Sequence, residues 1–232
     1  MQKFIACGAL ALCAGLANAD IVAYWSFFDT VPPSGSNFGV MPINANLVHH
    51  AGGGVLTTDA VSSPNNSTDG DIQHFTGSGI NVEAPFPNGS DISMRAGLGQ
   101  RSEGKSYFFQ LNTSLFEDIT LTYAERVTST GPANVAVAYS TDGVNWTGVA
   151  SANYATTRNS TYALRTVDLT AVNAIENAAS TWVRLTFTGF GATSTTGNIR
   201  MDNIKFDGTR IPTPGTCALV GMGLLAAARR RR

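Results

Sequence analysis

Charge is what this sequence has least of. Only 13% of its 232 residues are Asp, Glu, Lys or Arg, about half the quarter usual in soluble domains. Lysine is scarcest: between positions 20 and 211 there are only Lys105 and Lys205. With a formal net charge of −1, no basic surface exists on which to build a nucleic-acid interface, and that class of partner is excluded. Cysteine is confined to the ends, at Cys7, Cys13 and Cys217. The stretch between them therefore has no disulfides, no thiolate zinc site and no cysteine nucleophile. Histidine occurs three times, at His49, His50 and His74. No G-x-S-x-G elbow, H-E-x-x-H pair or P-loop is present. The five Glu show no tight acidic motif, so a glycosidase would need carboxylates brought together from distant strands. No repeat of fixed period marks a propeller or a solenoid.

What fills the chain instead is uncharged and polar. Ser, Thr and Asn make up 58 of the 192 residues from Asp20 to Ile211. Thr-rich, Lys-poor and Gly-rich sequence favours β-strands joined by turns. Residues 20–28 (DIVAYWSFF) are apolar on both faces, as in a central strand. Residues 29–70 carry Pro, Gly, Ser and Asn and read as a wandering surface segment. Short strands follow near 72–75, 79–82 and 106–111. Residues 118–127 alternate, with Ile119, Leu121 and Tyr123 on one face. Val135, Val137 and Tyr139 repeat the period of two, as do Val183, Leu185 and Phe187. Asp142-Gly143 predicts a type I′ hairpin turn, and residues 171–178 predict the one short helix. Strands so spaced predict an all-β fold: an antiparallel β-sandwich of jelly-roll or concanavalin-like kind over residues 20–208.

The two ends read as addresses. Lys3, an apolar run over 4–16 and the small residues Ala17 and Ala19 form a secretory signal peptide over 1–19, with signal peptidase cutting after Ala19. At the other end, Pro212-Thr213-Pro214 breaks regular structure. Residues 217–228 are apolar and helix-permitting, and Arg229, Arg230, Arg231 and Arg232 follow. As a helix these twelve residues would reach about 18 Å at ~1.5 Å each, short of the roughly 20 residues of a full span. The run therefore predicts a transient transmembrane helix held by the arginines, or a simple tail anchor. The last 22 residues resemble a PEP-CTERM sorting signal, which has a Pro-Glu-Pro-like motif, an apolar helix and a terminal Arg cluster. Thr213 stands where Glu is usual. The resemblance implies an exosortase-type sorting enzyme as partner, and a cell-surface or extracellular-matrix destination in a bacterium for a tail spanning 209–232.

Residues 139–146 (YSTDGVNW) and 197–204 (GNIRMDNI) resemble segments of jelly-roll modules common in secreted bacterial proteins. Carbohydrate-binding modules are frequent among these, so the resemblance implies an extracellular polysaccharide as partner. The candidate sugar-contacting residues are Trp146, for stacking on a pyranose, with Asn145 and Asp142 as polar neighbours, and Tyr154 as a further aromatic in the polar stretch that follows. The alternative is that Trp146 packs across its own hairpin. Trp25 and Trp182 lie within strands and are expected in the core. Near the last strand the apolar phase slips from odd (Ile199, Met201) to even (Ile204, Phe206), with Asp202 and Asn203 at the change. That predicts a bulge, or a carboxylate turned towards the core edge. Such a carboxylate needs a cation or several donors, and a structural Ca²⁺ held by Asp202 with Asp29 is the metal reading. Removing Lys3 and the four terminal arginines leaves 10 basic against 16 acidic residues, or −6. That balance favours a cation over an anion as partner. The functional expectation is an exported, non-enzymatic surface protein that binds carbohydrate. A coat or adhesive protein without a small ligand is the second reading, and a polysaccharide-cleaving enzyme the third.

Overall fold

The structure is a computed structural model and describes residues 19–28, 41–50, 53–61 and 71–212. Residues 1–18 of the signal segment, Ala17 among them, Asp29, and the tail from Thr213 through Pro214 to Arg229, Arg230, Arg231 and Arg232 lie outside the described residues, whereas Ala19 is described. No helix among the described residues is long and apolar enough to cross a membrane.

Two antiparallel sheets face each other. The first has the order β12 (Ala163–Asp168), β8 (Phe116–Val127), β14 (Asn198–Arg210), β1 (Ala19–Trp25) and β3 (Leu47–Val48). Strand β6 (Ile92–Arg95) adds to the first half of β14, and β5 (Ile72–Gln73) adds to β6. The second has the order β10 (Thr147–Gly148), β9 (Asn134–Ser140), β13 (Thr181–Thr188), β7 (Ser106–Leu111), β4 (Val55–Thr58) and β2 (Ile43–Asn44), with β11 (Tyr154–Ala155) also on β9. The successive strands β7, β8, β9, β12, β13 and β14 fall alternately in the second and first sheets. This crossing makes the fold the expected antiparallel β-sandwich, of jelly-roll type.

Alternation decides what faces inward. Ile119, Leu121 and Tyr123 of β8, Val135 and Val137 of β9, and Val183, Leu185 and Phe187 of β13 are all buried between the sheets. Trp25, Phe109 and Phe206 form the middle of the core, with ring centroids 5.3–6.2 Å apart in tilted or edge-on pairs. Such offset geometries are those that aromatic quadrupoles favour.

Several local expectations are corrected. Residues 79–82 form a turn rather than a strand, with Asn81 at φ 64°. The helix expected at 171–178 shrinks to one 3₁₀ turn, Asn173–Ile175. Asn177 takes φ 45° and its side chain accepts the Leu115 N–H, so the chain turns away before a second helical turn can form. Trp182 is half-exposed rather than in the core, because it alternates with Val183 and Leu185 and so points outward.

The predicted bulge is present. Strands β6 and β1 lie end to end along the same side of β14: β6 pairs up to Met201 and β1 from Ile204. The β14–β8 register shifts between Asp202 and Lys205. Asn203, at φ 50°, sits in this junction with no exposure. Its Nδ2 donates to the carbonyls of Ser78 (2.7 Å) and Ile80 (2.9 Å), and its Oδ1 accepts the Tyr24 hydroxyl (2.8 Å). These bonds hold the segment around 78–83 on the outside of the first sheet, where Asn81 also donates to Asn203 O and Thr122 Oγ1, and Glu83 pairs with Lys205. Asn203→Ala leaves the Tyr24 O–H without its acceptor and the Ser78 and Ile80 carbonyls without its amide donor, and removes a residue type tolerant of positive φ. It is expected to lower unfolding free energy by about 1–3 kcal/mol, read by urea denaturation, with faster hydrogen exchange at 78–83. Unchanged exchange there would show that the bonds do not hold the segment.

Candidate functional site

The outward face of the second sheet carries the aromatic candidates. In β13 the buried Thr181, Val183, Leu185 and Phe187 alternate with Trp182, Arg184, Thr186 and Thr188, which look outward. Antiparallel pairing sets Phe108 of β7 directly opposite Arg184 on one side and Ala138 of β9 on the other. Phe108, Trp182 and Arg184 are therefore neighbours on one partly exposed patch.

The six residues between β9 and β10 fold onto this patch instead of making the two-residue type I′ turn. Type I′ needs positive φ at both central residues, and only Gly143 has it here, at φ 75°. Asp142 builds the loop. Its Oδ1 accepts the N–H groups of Val144 and Asn145 (both 2.8 Å) and the Ser140 hydroxyl (2.9 Å). Its Oδ2 accepts Asn145 Nδ2 at 2.7 Å. The Asn145 donors, main chain first, followed by those of Val144 and Ser140, hold the Asp142 carboxyl far below the usual carboxylate range. A side chain on Gly143 would meet the indole of Trp182 at 3.2 Å, so the loop lies directly on that ring. The loop delivers Trp146 onto the patch, 5.5 Å from the Phe108 ring and with the Arg184 guanidinium carbon 4.6 Å from its centroid. Trp146 is thus packed on its own sheet, as the alternative reading held, yet remains partly exposed.

Of the four expected sugar contacts, the structure groups three. Trp146 offers a ring. Asp142 and Asn145 stand beside it, but their hydrogen bonds shape the loop. Tyr154 is elsewhere. Its strand pairs with the far end of β9, at Val135, and its ring packs against the core. The Tyr154 hydroxyl donates to Glu125 Oε2 at 2.7 Å and shares a short hydrogen bond with Tyr123. Arg165 closes the group, over the Tyr154 ring at 4.2 Å and on Glu125 Oε1 at 2.8 Å. Burial pushes the Tyr154 hydroxyl well above its ordinary range. Phe108, Trp182 and Arg184 were not among the expected contacts. The alternation within TWVRLTFT does set Trp182 and Arg184 on the face opposite the core, but Phe108 joins them only through the β7–β13 register.

The second candidate is at the bulge. Asp202 is fully buried, and its carboxylate accepts N–H groups from Ser78 (2.5 Å) and Asn203 (2.7 Å). Two donors do not offset the burial, which raises its pKa to about 7. Asp91, also buried, accepts the Phe75 N–H at 2.6 Å and the Tyr162 hydroxyl, and burial raises it to about 6. A side chain on Gly77 would collide with Asp202 Oδ2 and stand 2.8 and 2.9 Å from the carbonyl oxygens of Gly89 and Ser90. One carboxylate and two carbonyls therefore crowd around Gly77, oxygens of the kind hard cations take, and the Gly89 carbonyl already accepts the Gly77 N–H. Gly89 lies against Phe28, the residue before Asp29. Among the described residues, no three His, Cys, Asp or Glu come together as a metal group.

No protein-family model matches the chain, and no curated protein matches it. Solved structures do. The K2 cleaved adhesin domain of Lys-gingipain is 17% identical, with 65% of this chain and 88% of that one covered and a TM-score of 0.39. A family 61 carbohydrate-binding module in complex with β-1,4-galactotriose is 10% identical, with 65% and 85% covered and a TM-score of 0.36. The enzymatically active domain of a bacteriophage tailspike protein is 8% identical, with 68% and 19% covered and a TM-score of 0.39.

Proposed function

We propose that this chain is an exported, non-enzymatic surface or extracellular-matrix protein whose sandwich binds carbohydrate through the outward face of the second sheet. One observation carries the reading: Trp146, Phe108 and Trp182 gather with Arg184 on the outward side of a sheet, where solvent favours Thr and Ser. Large aromatic rings left partly exposed beside polar groups are what a pyranose needs, an apolar face to stack on and donors at the rim. The export side rests on the two ends. The signal segment 1–19 is the proposed substrate of signal peptidase, and the tail 209–232, with Pro212, Thr213, Pro214 and the four arginines, that of an exosortase-type enzyme after transient membrane association. In this reading Asp202 and Asp29 hold a structural Ca²⁺.

Affinity electrophoresis in gels cast with polysaccharide tests the binding. Trp146→Ala is expected to weaken retention at least about 30-fold, the effect of losing a central aromatic anchor at about 2 kcal/mol. Retention unchanged by Trp146→Ala would move the ligand elsewhere, and release of reducing sugar would turn the reading to an enzyme. Intact mass of the exported protein tests the ends, since a species that keeps all four terminal arginines would overturn the sorting proposal.

A further inference from the structure

We infer that the carbohydrate taken by the second sheet is an anionic one, a polysaccharide bearing carboxylate or sulfate groups, and that Arg184 receives the charge. The inference rests on the proposed carbohydrate reading of this face and adds a substrate class to it.

Arg184 is a cation without a counter-charge. It makes no ion pair and no hydrogen bond with any described residue, and its Nε is buried with no acceptor. Its contact is the Trp146 ring, 4.6 Å from the guanidinium carbon. Its direct partners across the ladder are Phe108 and Ala138. The other outward positions of β7, β9, β13 and β4 hold Ser106, Gln110, Asn134, Ala136, Ser140, Trp182, Thr186, Thr188, Val55 and Thr57, with no Asp or Glu among them. The nearby Asp142 has its carboxylate filled by donors of its own loop.

Five other cations of the described residues meet a carboxylate. Arg101 and Arg95 meet Asp71, Arg165 meets Glu125, Lys205 meets Glu83 and Asp207, and Arg210 meets Asp20. In a stretch that carries six more acids than bases, an arginine with no ion pair, on strands whose outward positions hold no acid, departs locally from the overall charge even with Asp142 in the neighbouring loop. That overall charge would turn polyanions away from most of the surface, so the local cation decides where one lands. A guanidinium stacked on an indole is held in one plane, and it offers a fixed fork of N–H donors that matches carboxylate and sulfate oxygens. Partial burial strengthens the attraction relative to open water. The sugar ring then stacks beside the charge on Trp146 or Phe108, so one ligand residue satisfies both.

Isothermal titration of the full chain with hexamers of galacturonate, of a sulfated galactan and of neutral glucan tests this. At ~150 mM salt, where the other acids are screened beyond about 8 Å, at least one anionic hexamer should bind 10-fold or more tighter than the neutral one. The gap should narrow at 500 mM. Whichever anionic hexamer leads identifies the group, carboxylate or sulfate. Arg184→Gln should abolish the preference, bringing the anionic hexamer to the affinity that the same variant shows for the neutral one. Arg184→Lys should keep part of the preference. Equal affinities in the wild-type protein, or equal losses for both ligand types in Arg184→Gln, would overturn the inference while leaving carbohydrate binding intact. If no hexamer binds, the carbohydrate reading falls with it. The wild-type comparison and its salt dependence decide the matter even where Arg184→Gln does not fold.

Discussion

Replacing Asp71 with alanine is expected to destabilise the sandwich by about 3 kcal/mol, near the low end of what removing one partner of a buried ion pair costs. Asp71 has no exposed surface. Arg101 grips it with two donors, Nε at 2.5 Å and Nη2 at 3.0 Å, and Arg95 Nε lies at 3.7 Å. The low end applies because Arg101 is 30% exposed and can turn to water, whereas Arg95, at 14%, is less free to do so. The pair closes a tight place. Asp71 immediately precedes β5, its N–H donates to Val61 O, and its own carbonyl accepts the Arg95 N–H. Gly97, Gly99 and Gln100 all take positive φ in the turn between the two arginines. A side chain at Gly97 would run into the Asp71 carboxylate. At about 2–4 °C per kcal/mol for a chain of this size, the melting temperature should drop by roughly 6–12 °C. Arg101→Ala should cost less, because Arg95 still faces the carboxylate, and a double-mutant cycle should show the two losses to be far from additive. A drop under 2 °C would mean that the pair contributes specificity rather than stability.

What was legible in the sequence was whatever local periodicity carries. The odd-even alternation of β8, β9 and β13 located three long strands and their buried faces. The phase slip after Met201 located the bulge and the buried Asp202, because a strand cannot change its buried face without an extra residue. Periodicity does not encode partners. That β1 and β6 share one side of β14, leaving a junction for Asn203 to bridge, depends on the register of segments more than a hundred residues apart in sequence. The 78–83 segment reads as a strand by composition, but its side of the sheet is reached through Asn203 and Tyr24 bonds that no local window contains. Asp142-Gly143 carries the residue types of a tight turn. The loop takes a wider path because the Asp142 carboxylate has four donors to collect from Ser140, Val144 and Asn145. Trp182 was open to a stricter reading, since its odd-numbered neighbours already claimed the core and left it the outward side. Arg184 could be placed on that side as well, but its lack of a counter-charge is visible only when β7 and β9 are set beside it.

Stability is expected to fall as pH rises from about 4 to 7, the reverse of the usual acid lability. The cause is the buried pair Asp91 and Asp202. Each carboxyl titrates near 3.8 when unfolded, but burial raises Asp91 to about 6 and Asp202 to about 7 in the fold. Between those values the folded state binds more protons than the unfolded one, so unfolding free energy decreases with pH through that window. At about 1.4 kcal/mol per pKa unit, the two together are worth roughly 7–8 kcal/mol, lost by pH 8. The lowered carboxyls of Asp142 and Asp168 act in the opposite sense, but both are exposed and screened. The measurement is the melting temperature from pH 4 to 8 in EDTA, with Asp202→Asn flattening the upper half of the curve. Calcium separates the two ways in which the fold can accommodate Asp202. An ion held by the carboxylate and its neighbouring carbonyls binds only the deprotonated form, so millimolar Ca²⁺ should raise the melting temperature at pH 8, do little at pH 5, and do nothing in Asp202→Asn. If Ca²⁺ leaves the pH 8 value where EDTA put it, Asp202 is a strained, metal-free carboxylate tolerated to turn β14 at its bulge. The falling pH curve should remain in that case, because it follows from burial alone.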